Sequence, residues 1–453
     1  MADRIEGSDS TRQVQVTYRG YNLSGTMETD NTITSLTNLL ACPDCDLLLK
    51  RIDVKPGDVS LCPRCGRNLD TPKHDSIDKT LALAISGLIL FIPANFMSIM
   101  SLNILGMKGS GSVYDSIIAF IDSGYFFVAM IAGLTCLIFP FVKLGLLFTL
   151  SLCLKIKKYP ACLKDLMRWY HHLDEWGMLE VFMLGILISI IKLHHMAHIH
   201  YDPGFFCFIG LLIVALSSSS AMDDDLFWEL IEKTEPGTPD SQEELMAIAT
   251  GKRMAAREAG LAVCHDCHKL IDFRNIPASA LSCPRCGATV HTRHPGSLNK
   301  TWALVITAVI LAFPANLLPI MSVEYLGQED LSTIMDGIVY FFQSGSYGIG
   351  AVIFTASILV PCFKMIGIVL ILLSIHFRWR SWLRHKTVMF RFIQFIGRWS
   401  MLDIFVIALM QVLVTFGSLS TSGAGPAATF FTGVVLATMF AAITFDTRLL
   451  WDV

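Results

Sequence analysis

The sequence predicts an all-α polytopic membrane protein: a tandem repeat of a four-helix transmembrane bundle, each bundle preceded by a small cytoplasmic zinc ribbon. Three observations carry that reading. Of 453 residues, 53% are apolar and only 16% are charged, which is too oily for a soluble chain of this size. Each half holds several apolar runs close to the roughly 20 residues that a helix needs to cross a bilayer. Finally, the chain repeats itself. Cys42-Pro-Asp-Cys45 and Cys62-Pro-Arg-Cys65 return as Cys264-His-Asp-Cys267 and Cys283-Pro-Arg-Cys286. The copies are offset by 222 residues at Cys42 and Cys264, 221 at Lys143 and Lys364, and 223 at Trp176 and Trp399. So small a drift marks a duplicated module. A net charge of −3 gives no basic field and no reason to expect nucleic acid.

Residues 1–40 are polar, lack the apolar core of a signal peptide, and read as a disordered tail. The first ribbon occupies 41–72 and the first transmembrane domain 77–222. A cytoplasmic linker, 223–259, leads to the second ribbon, 260–293, and the second transmembrane domain, 298–453.

The cysteine spacings are C-x2-C-x16-C-x2-C and C-x2-C-x15-C-x2-C, which match zinc ribbons. Two residues between thiolates let both sulfurs reach one ion at about 2.3 Å, and a hairpin returns the second pair to complete a tetrahedron. The ligands are then Cys42, Cys45, Cys62 and Cys65 for one Zn2+, and Cys264, Cys267, Cys283 and Cys286 for a second. Iron in the same four-thiolate geometry is the alternative. Four protein ligands leave no open position for a catalytic water. Segments this short take their folding energy from the metal. They organise a partner surface or sense metal or redox state, and the spacing alone does not choose. His265 and His268 flank the second knuckle as bystanders. Cys136, Cys153, Cys162, Cys207 and Cys362 read as small buried hydrophobes.

Eight spans are expected: Thr80–Met100, Tyr125–Leu154, Gly177–Leu193 and Gly204–Ser220, then Thr301–Met321, Tyr347–Ile375, Met401–Ser418 and Gly425–Thr444. The segments after the second and sixth spans are basic, with Lys155, Lys157, Lys158, Lys164 and Arg168 in one and Arg378, Arg380, Arg384, Lys386, Arg391 and Arg398 in the other. The positive-inside rule places them in the cytoplasm, together with both termini and both ribbons. That compartment keeps thiols free for metal. Amphipathic stretches at Val113–Gly124 and Ser332–Gly345 fit short helices at the outer face, lying flat on the leaflet or packed on the bundle. Pro93-Ala94-Asn95 and Pro314-Ala315-Asn316 read as helix breaks near that face. A kink is the default reading there, and an opening for lipid tails is the functional one. His194, His195, His198 and His200 read as solvated interfacial residues.

An ionisable residue at bilayer depth costs about 2.5–3.5 kcal/mol on insertion scales and marks a functional hypothesis. Lys143 and Lys364 each follow a span proline by three residues. Glu180 and Asp403 each begin a later span and are candidate ion-pair partners. The copies differ around these charges. The second has Ser357, Ser400 and Thr438 where the first has Cys136, Gly177 and Ala215. Ser357 precedes Lys364 by two helical turns. Interhelical hydroxyl bonds are worth only about 0.6–2 kcal/mol, so proton relay or gating explains the cluster better than stability does.

These tandem ribbons, the repeated Pro-Ala-Asn, the lysine after a span proline, Gly397-Arg-Trp-Ser-Met-Leu-Asp403 and the terminal Phe445-Asp-x-Arg-Leu-x-Trp-Asp452 resemble the paraquat-inducible protein A family of bacterial inner-membrane proteins. The resemblance runs from about Ala41 to Val453, and Trp176-Gly-Met-Leu-Glu-Val-Phe182 leans toward its paraquat-inducible branch. His265 stands where proline is common in the family. The resemblance implies a subunit of a mammalian-cell-entry (MCE) type lipid transport system. It would move phospholipids between the inner membrane and a periplasmic MCE-domain tunnel protein and so maintain membrane integrity. It further implies a polar network at Ser357, Lys364, Ser400, Asp403 and Thr438, with Lys143 and Glu180 as first-copy counterparts. No ATP-binding motif is expected, and no G-x-x-x-x-G-K-[ST] occurs. No Ser/His/Asp or open-metal constellation points to an enzyme. The rival readings are a non-transporting anchor for the tunnel and a membrane redox or metal sensor.

Overall fold

The structure, a computed structural model, describes residues 13–15, 39–52, 54–104, 107–174, 176–194, 198–232, 254–272, 282–325, 328–343, 345, 347–414 and 420–452. The first ribbon carries β1 (Gln13–Gln15), β2 (Leu39–Ala41), β3 (Leu48–Lys50), β4 (Val59–Leu61) and β5 (Asn68–Asp70). β2 pairs with β3, and β4 lies between β5 and a parallel β1. Gln13–Gln15, from the segment expected to be a disordered tail, thus pairs with the ribbon. Most of the rest of that tail lies outside the described residues.

The first membrane half runs α1 (Ser76–Phe96), β6 (Met100–Ile104), β7 (Met107–Gly111), α2 (Val113–Asp122), α3 (Phe126–Gly133), α4 (Phe139–Ile156), α5 (Leu163–Asp174), α6 (Leu179–His194), β8 (His198–Tyr201), α7 (Pro203–Ala221) and α8 (Asp224–Glu232). The second ribbon holds β9 (Leu261–Val263) and β10 (Leu270–Asp272). The second half repeats the plan as α9 (Ser297–Leu317), β11 (Met321–Tyr325), β12 (Gln328–Ser332), α10 (Ile334–Gln343), α11 (Tyr347–Phe354), α12 (Val360–His376), α13 (Leu383–Gly397), α14 (Leu402–Val414), β13 (Ser420–Ala424) and α15 (Ala427–Thr444).

Among the described residues, seven helices are long and apolar enough to cross a membrane. The chain is therefore a multi-pass membrane protein, though an eight-span count is not what the helix lengths give. The expected third span appears as α6, 16 residues, about 24 Å at 1.5 Å per residue against a core of roughly 30 Å. The expected seventh is the end of a 31-residue run, Leu383–Leu413, in which the turn Arg398–Met401 joins α13 to α14.

Local chemistry explains the elements. Ser112 accepts from the Asp115 N–H at 3.1 Å while Asp115 accepts from Ser112 N–H at 2.9 Å. Thr333 and Asp336 do the same. These reciprocal caps start α2 and α10 where the amphipathic stretches were expected. The prolines at 93 and 314 do not end their helices. α1 and α9 continue a turn further and close with Met97 N–H and Leu318 N–H donating to the proline carbonyls at 3.1 Å. A proline in the last turn forfeits one ladder bond only.

Two three-stranded antiparallel sheets, β7-β6-β8 and β12-β11-β13, were not foreseen. They place His198 and His200 in β8, with the exposed His200 opposite Ser101; His194 ends α6, and His195 lies outside the described residues. Each sheet hands the chain to the last span through a glycine. A Cβ on Gly204 or Gly425 would collide with the carbonyl oxygens of Ser98 or Pro319.

The halves meet along α6 and α14. Phe182 contacts Phe405 at 5.4 Å between centroids, and Trp176 contacts Phe440 at 5.2 Å. Gln411 of α14 also donates to Ala119 O of α2 at 2.8 Å.

Candidate metal sites and the two membrane lysines

In each ribbon the four Sγ atoms lie within 4.8 Å of one another and are buried. Cys42–Cys65 and Cys45–Cys62 stand at 3.4 and 3.5 Å, Cys264–Cys286 and Cys267–Cys283 at 3.5 and 3.4 Å. A tetrahedron with 2.3 Å bonds has edges of about 3.8 Å, so the donor sets fit a thiophilic metal ion. Each knuckle turns through a left-handed residue after its second cysteine: Asp46 (φ 59°), Gly66 (71°), His268 (54°) and Gly287 (73°). The turn returns Asp46 N–H to Cys42 O at 2.8 Å and Gly66 N–H to Cys62 O at 2.8 Å. Hydrogen bonding to Cys42 pushes the Cys45 thiol up, and the same partner pushes Cys62 down. A bound divalent cation would take all four as thiolates, displacing their protons. His265 and His268 stay outside both sulfur sets. Burial lowers the pKa of each imidazole to about 4.

The two lysines sit in matched places and in unlike company. Each long span carries a five-residue π-helical stretch, Leu134–Ile138 or Thr355–Leu359, just before a proline. Pro140 and Pro361 lack the N–H that would meet the carbonyls of Cys136 and Ser357, so the ladder widens there. Lys364 follows and is 0% exposed. Its Nζ donates to Thr438 Oγ1 at 2.9 Å, and to Ser400 Oγ and Gly397 O at 3.4 Å each. The structure thus joins Lys364, Ser400 and Thr438. Ser357 is 3% exposed, and its Oγ makes no hydrogen bond among the described residues. Asp403, half-buried in the first turn of α14, is not among the partners of Lys364.

Lys143 is different. Its side chain is 16% exposed. It ion-pairs with Asp174, donates to Ser219 Oγ at 2.9 Å, and lies 5.6 Å from the Tyr170 ring. The carboxylate offered to it by sequence, Glu180, is half-buried at the start of α6 and is not its partner. Asp174 lies outside the expected spans, and α5 folds it back from the intervening segment. At the same 223-residue offset Asp174 aligns with Gly397. The first copy neutralises its lysine with a carboxylate. The second substitutes a glycine carbonyl and adds two hydroxyls. Dipoles offset a buried charge less fully than a counter-ion does.

A duplicated multi-pass membrane protein emerges, with one four-cysteine site per copy and a dipole-solvated lysine in the second copy alone. The paraquat-inducible protein A family profile matches residues 77–232 and 298–453, and the chain belongs to that family. It is 32% identical to the intermembrane transport protein PqiA of Escherichia coli K12, over 91% of this chain and 95% of that one. It is 30% identical to the lipophilic envelope-spanning tunnel protein A of the same strain, over 91% and 90%. A probable intermembrane transport protein of Haemophilus influenzae is 27% identical over 92% and 96%. No solved structure matches the chain.

Proposed function

We propose that this chain is the inner-membrane subunit of an intermembrane lipid transport system. It would pass phospholipids between the inner membrane and an MCE-domain tunnel protein in the periplasm, without being an enzyme itself. The names of its relatives support the intermembrane role. In this reading each ribbon holds one Zn2+. The ribbon end, which also carries Lys155, Lys157, Lys158 and the basic α13, faces the cytoplasm, and the two small sheets face the periplasm.

The observation that carries the proposal is the company of Lys364. A lysine held by hydroxyls and a carbonyl can give and take a proton without stranding a counter-ion, whereas Lys143 would strand Asp174. The second half is therefore the working half, and proton movement at Lys364 couples to lipid loading. A further difference between copies supports it. Near the sheet end of the first half, Phe91 meets Phe141 at 5.2 Å and Phe96 meets Tyr114 at 5.4 Å. The aligned residues are Ala312, Cys362, Leu317 and Met335, all smaller. Asn95 is 0% exposed and its counterpart Asn316 is exposed. α9 also packs less extensively on α12 than α1 does on α4. An unplugged apolar face suits acyl chains.

The test is lipid transfer by Lys364→Ala and Asp403→Asn at normal protein levels. Loss of transfer is expected for Lys364→Ala. Full activity in both would sink the coupling idea and leave an anchor that needs only to bind its tunnel.

A further inference from the structure

Each ribbon is joined by the chain to one membrane half and seated on the other. The first ribbon leads directly into α1. Yet Arg391 of α13 donates to the Cys65 carbonyl at 2.8 Å and ion-pairs with buried Asp44 at 2.7 Å. Arg64 lies 4.2 Å over the Trp451 ring, and Trp451 Nε1 donates to Thr387 of α13 at 3.2 Å. The second ribbon leads into α9. Yet Arg168 of α5 faces the Cys286 carbonyl at 3.4 Å and Asp266 at 3.7 Å. Glu232 of α8 holds Arg285 at 2.7 Å and pairs with Lys269, and the four cysteines share an apolar cluster with Met167 and Trp228.

These contacts are equivalent under the repeat. Arg168 matches Arg391, Asp266 matches Asp44, Cys286 matches Cys65, and Trp228 matches Trp451. The arginine's two contacts, with the last cysteine's carbonyl and with the first knuckle's aspartate, recur in both copies and so belong to the plan of the molecule. Besides the chain itself, polar ties to the ribbon's own half include an exposed Arg51–Asp225 pair at 3.4 Å for the first, and for the second a two-pronged Arg293–Asp452 pair at 2.7 Å, at the ribbon's last residue, and a contact of His265 with Arg448.

We infer that the ribbons are exchanged between the halves, and that the first ribbon's metal site, acting through Arg391, holds α13 and the turn after it in the position that presents Gly397 O and Ser400 to Lys364. Arg391 is a positioning residue. It precedes Gly397 by six residues, about 9 Å along the helix. A four-cysteine ribbon that loses its metal loses most of its folding energy. The Cys65 carbonyl and Asp44 then leave Arg391, and the end of α13 loosens. The second ribbon holds α5 in the same way and so bears on Asp174 and Lys143. Metal supply to the first copy thereby regulates the polar site of the second. That consequence rests on Lys364 being the working site; the exchange itself does not.

Hydrogen exchange on the full-length protein in nanodiscs tests it. Cys62→Ser should speed exchange in 383–397 by roughly tenfold, the effect of losing one charge-assisted bond, and leave 163–174 unchanged. Cys283→Ser should do the reverse. Should either cysteine variant fail to accumulate, Arg391→Ala and Arg168→Ala, with metal content retained, should give the same crossed pattern. Faster exchange in the half to which the altered ribbon is joined, or in both halves equally, or in neither, would overturn the exchange. A crossed pattern together with intact transport by Lys364→Ala would keep the exchange and discard the functional reading.

Discussion

Lys364 and Lys143 occupy one position in a duplicated plan, and a single residue accounts for much of their difference. Gly397 stands where the first copy has Asp174. A Cβ placed on Gly397 would lie 3.9 Å from Lys364 Nζ, so a carboxylate there can reach the lysine. Gly397→Asp should therefore convert the second site into the first: the protein accumulates normally and lipid transfer falls by about tenfold or more. Transfer at the wild-type rate, measured from labelled vesicles, would count against a role for an ammonium held by dipoles. Lys364→Met should lose transfer while keeping or raising the melting temperature, because an apolar side chain of similar volume often replaces a buried charge without cost. Asp174→Ala should cost only about 1 kcal/mol, since that pair is partly exposed. The two four-cysteine groups were legible from spacing alone, and the hydroxyls from comparing copies. Asp174 was not, because no span pattern reveals which interhelical segment folds back.

Among the elements, those with strong local signals were readable and those built by pairing were not. The Ser112/Asp115 and Thr333/Asp336 caps announce α2 and α10, and Ser112→Ala should lower the stability of α2 by about 1 kcal/mol, seen as faster amide exchange in 113–122. The amphipathic α5 and α13 do carry a local signal: Leu163, Met167 and Tyr170 recur at helical spacing and are buried. The strands β6 to β8 and β11 to β13 carry little alternation, with runs such as Met-Lys-Gly-Ser-Gly. Their register comes from closing the sheet with the strand that precedes the last span, a long-range fact. Gly425→Ala should cost about 1–3 kcal/mol by overpacking against Pro319, measured as a lower melting temperature.

At the scale of the whole molecule, duplication supplies two lysine sites, two ribbons and a shared seam at α6 and α14. Exchange of the ribbons interlocks the halves. Two metal ions per chain are expected by mass spectrometry, falling to one in Cys42→Ser. The duplication was plain in the sequence; the crossing was not, because contacts between ribbon and helix leave no periodic trace. In this reading the second half works and the first supports it. Its most direct test is reconstituted transfer of phospholipid to an MCE-domain tunnel protein by Lys364→Met and Lys143→Met side by side. Lys364→Met should abolish transfer, and Lys143→Met should keep most of it. Equal loss in both, or full transfer by Lys364→Met, would contradict it.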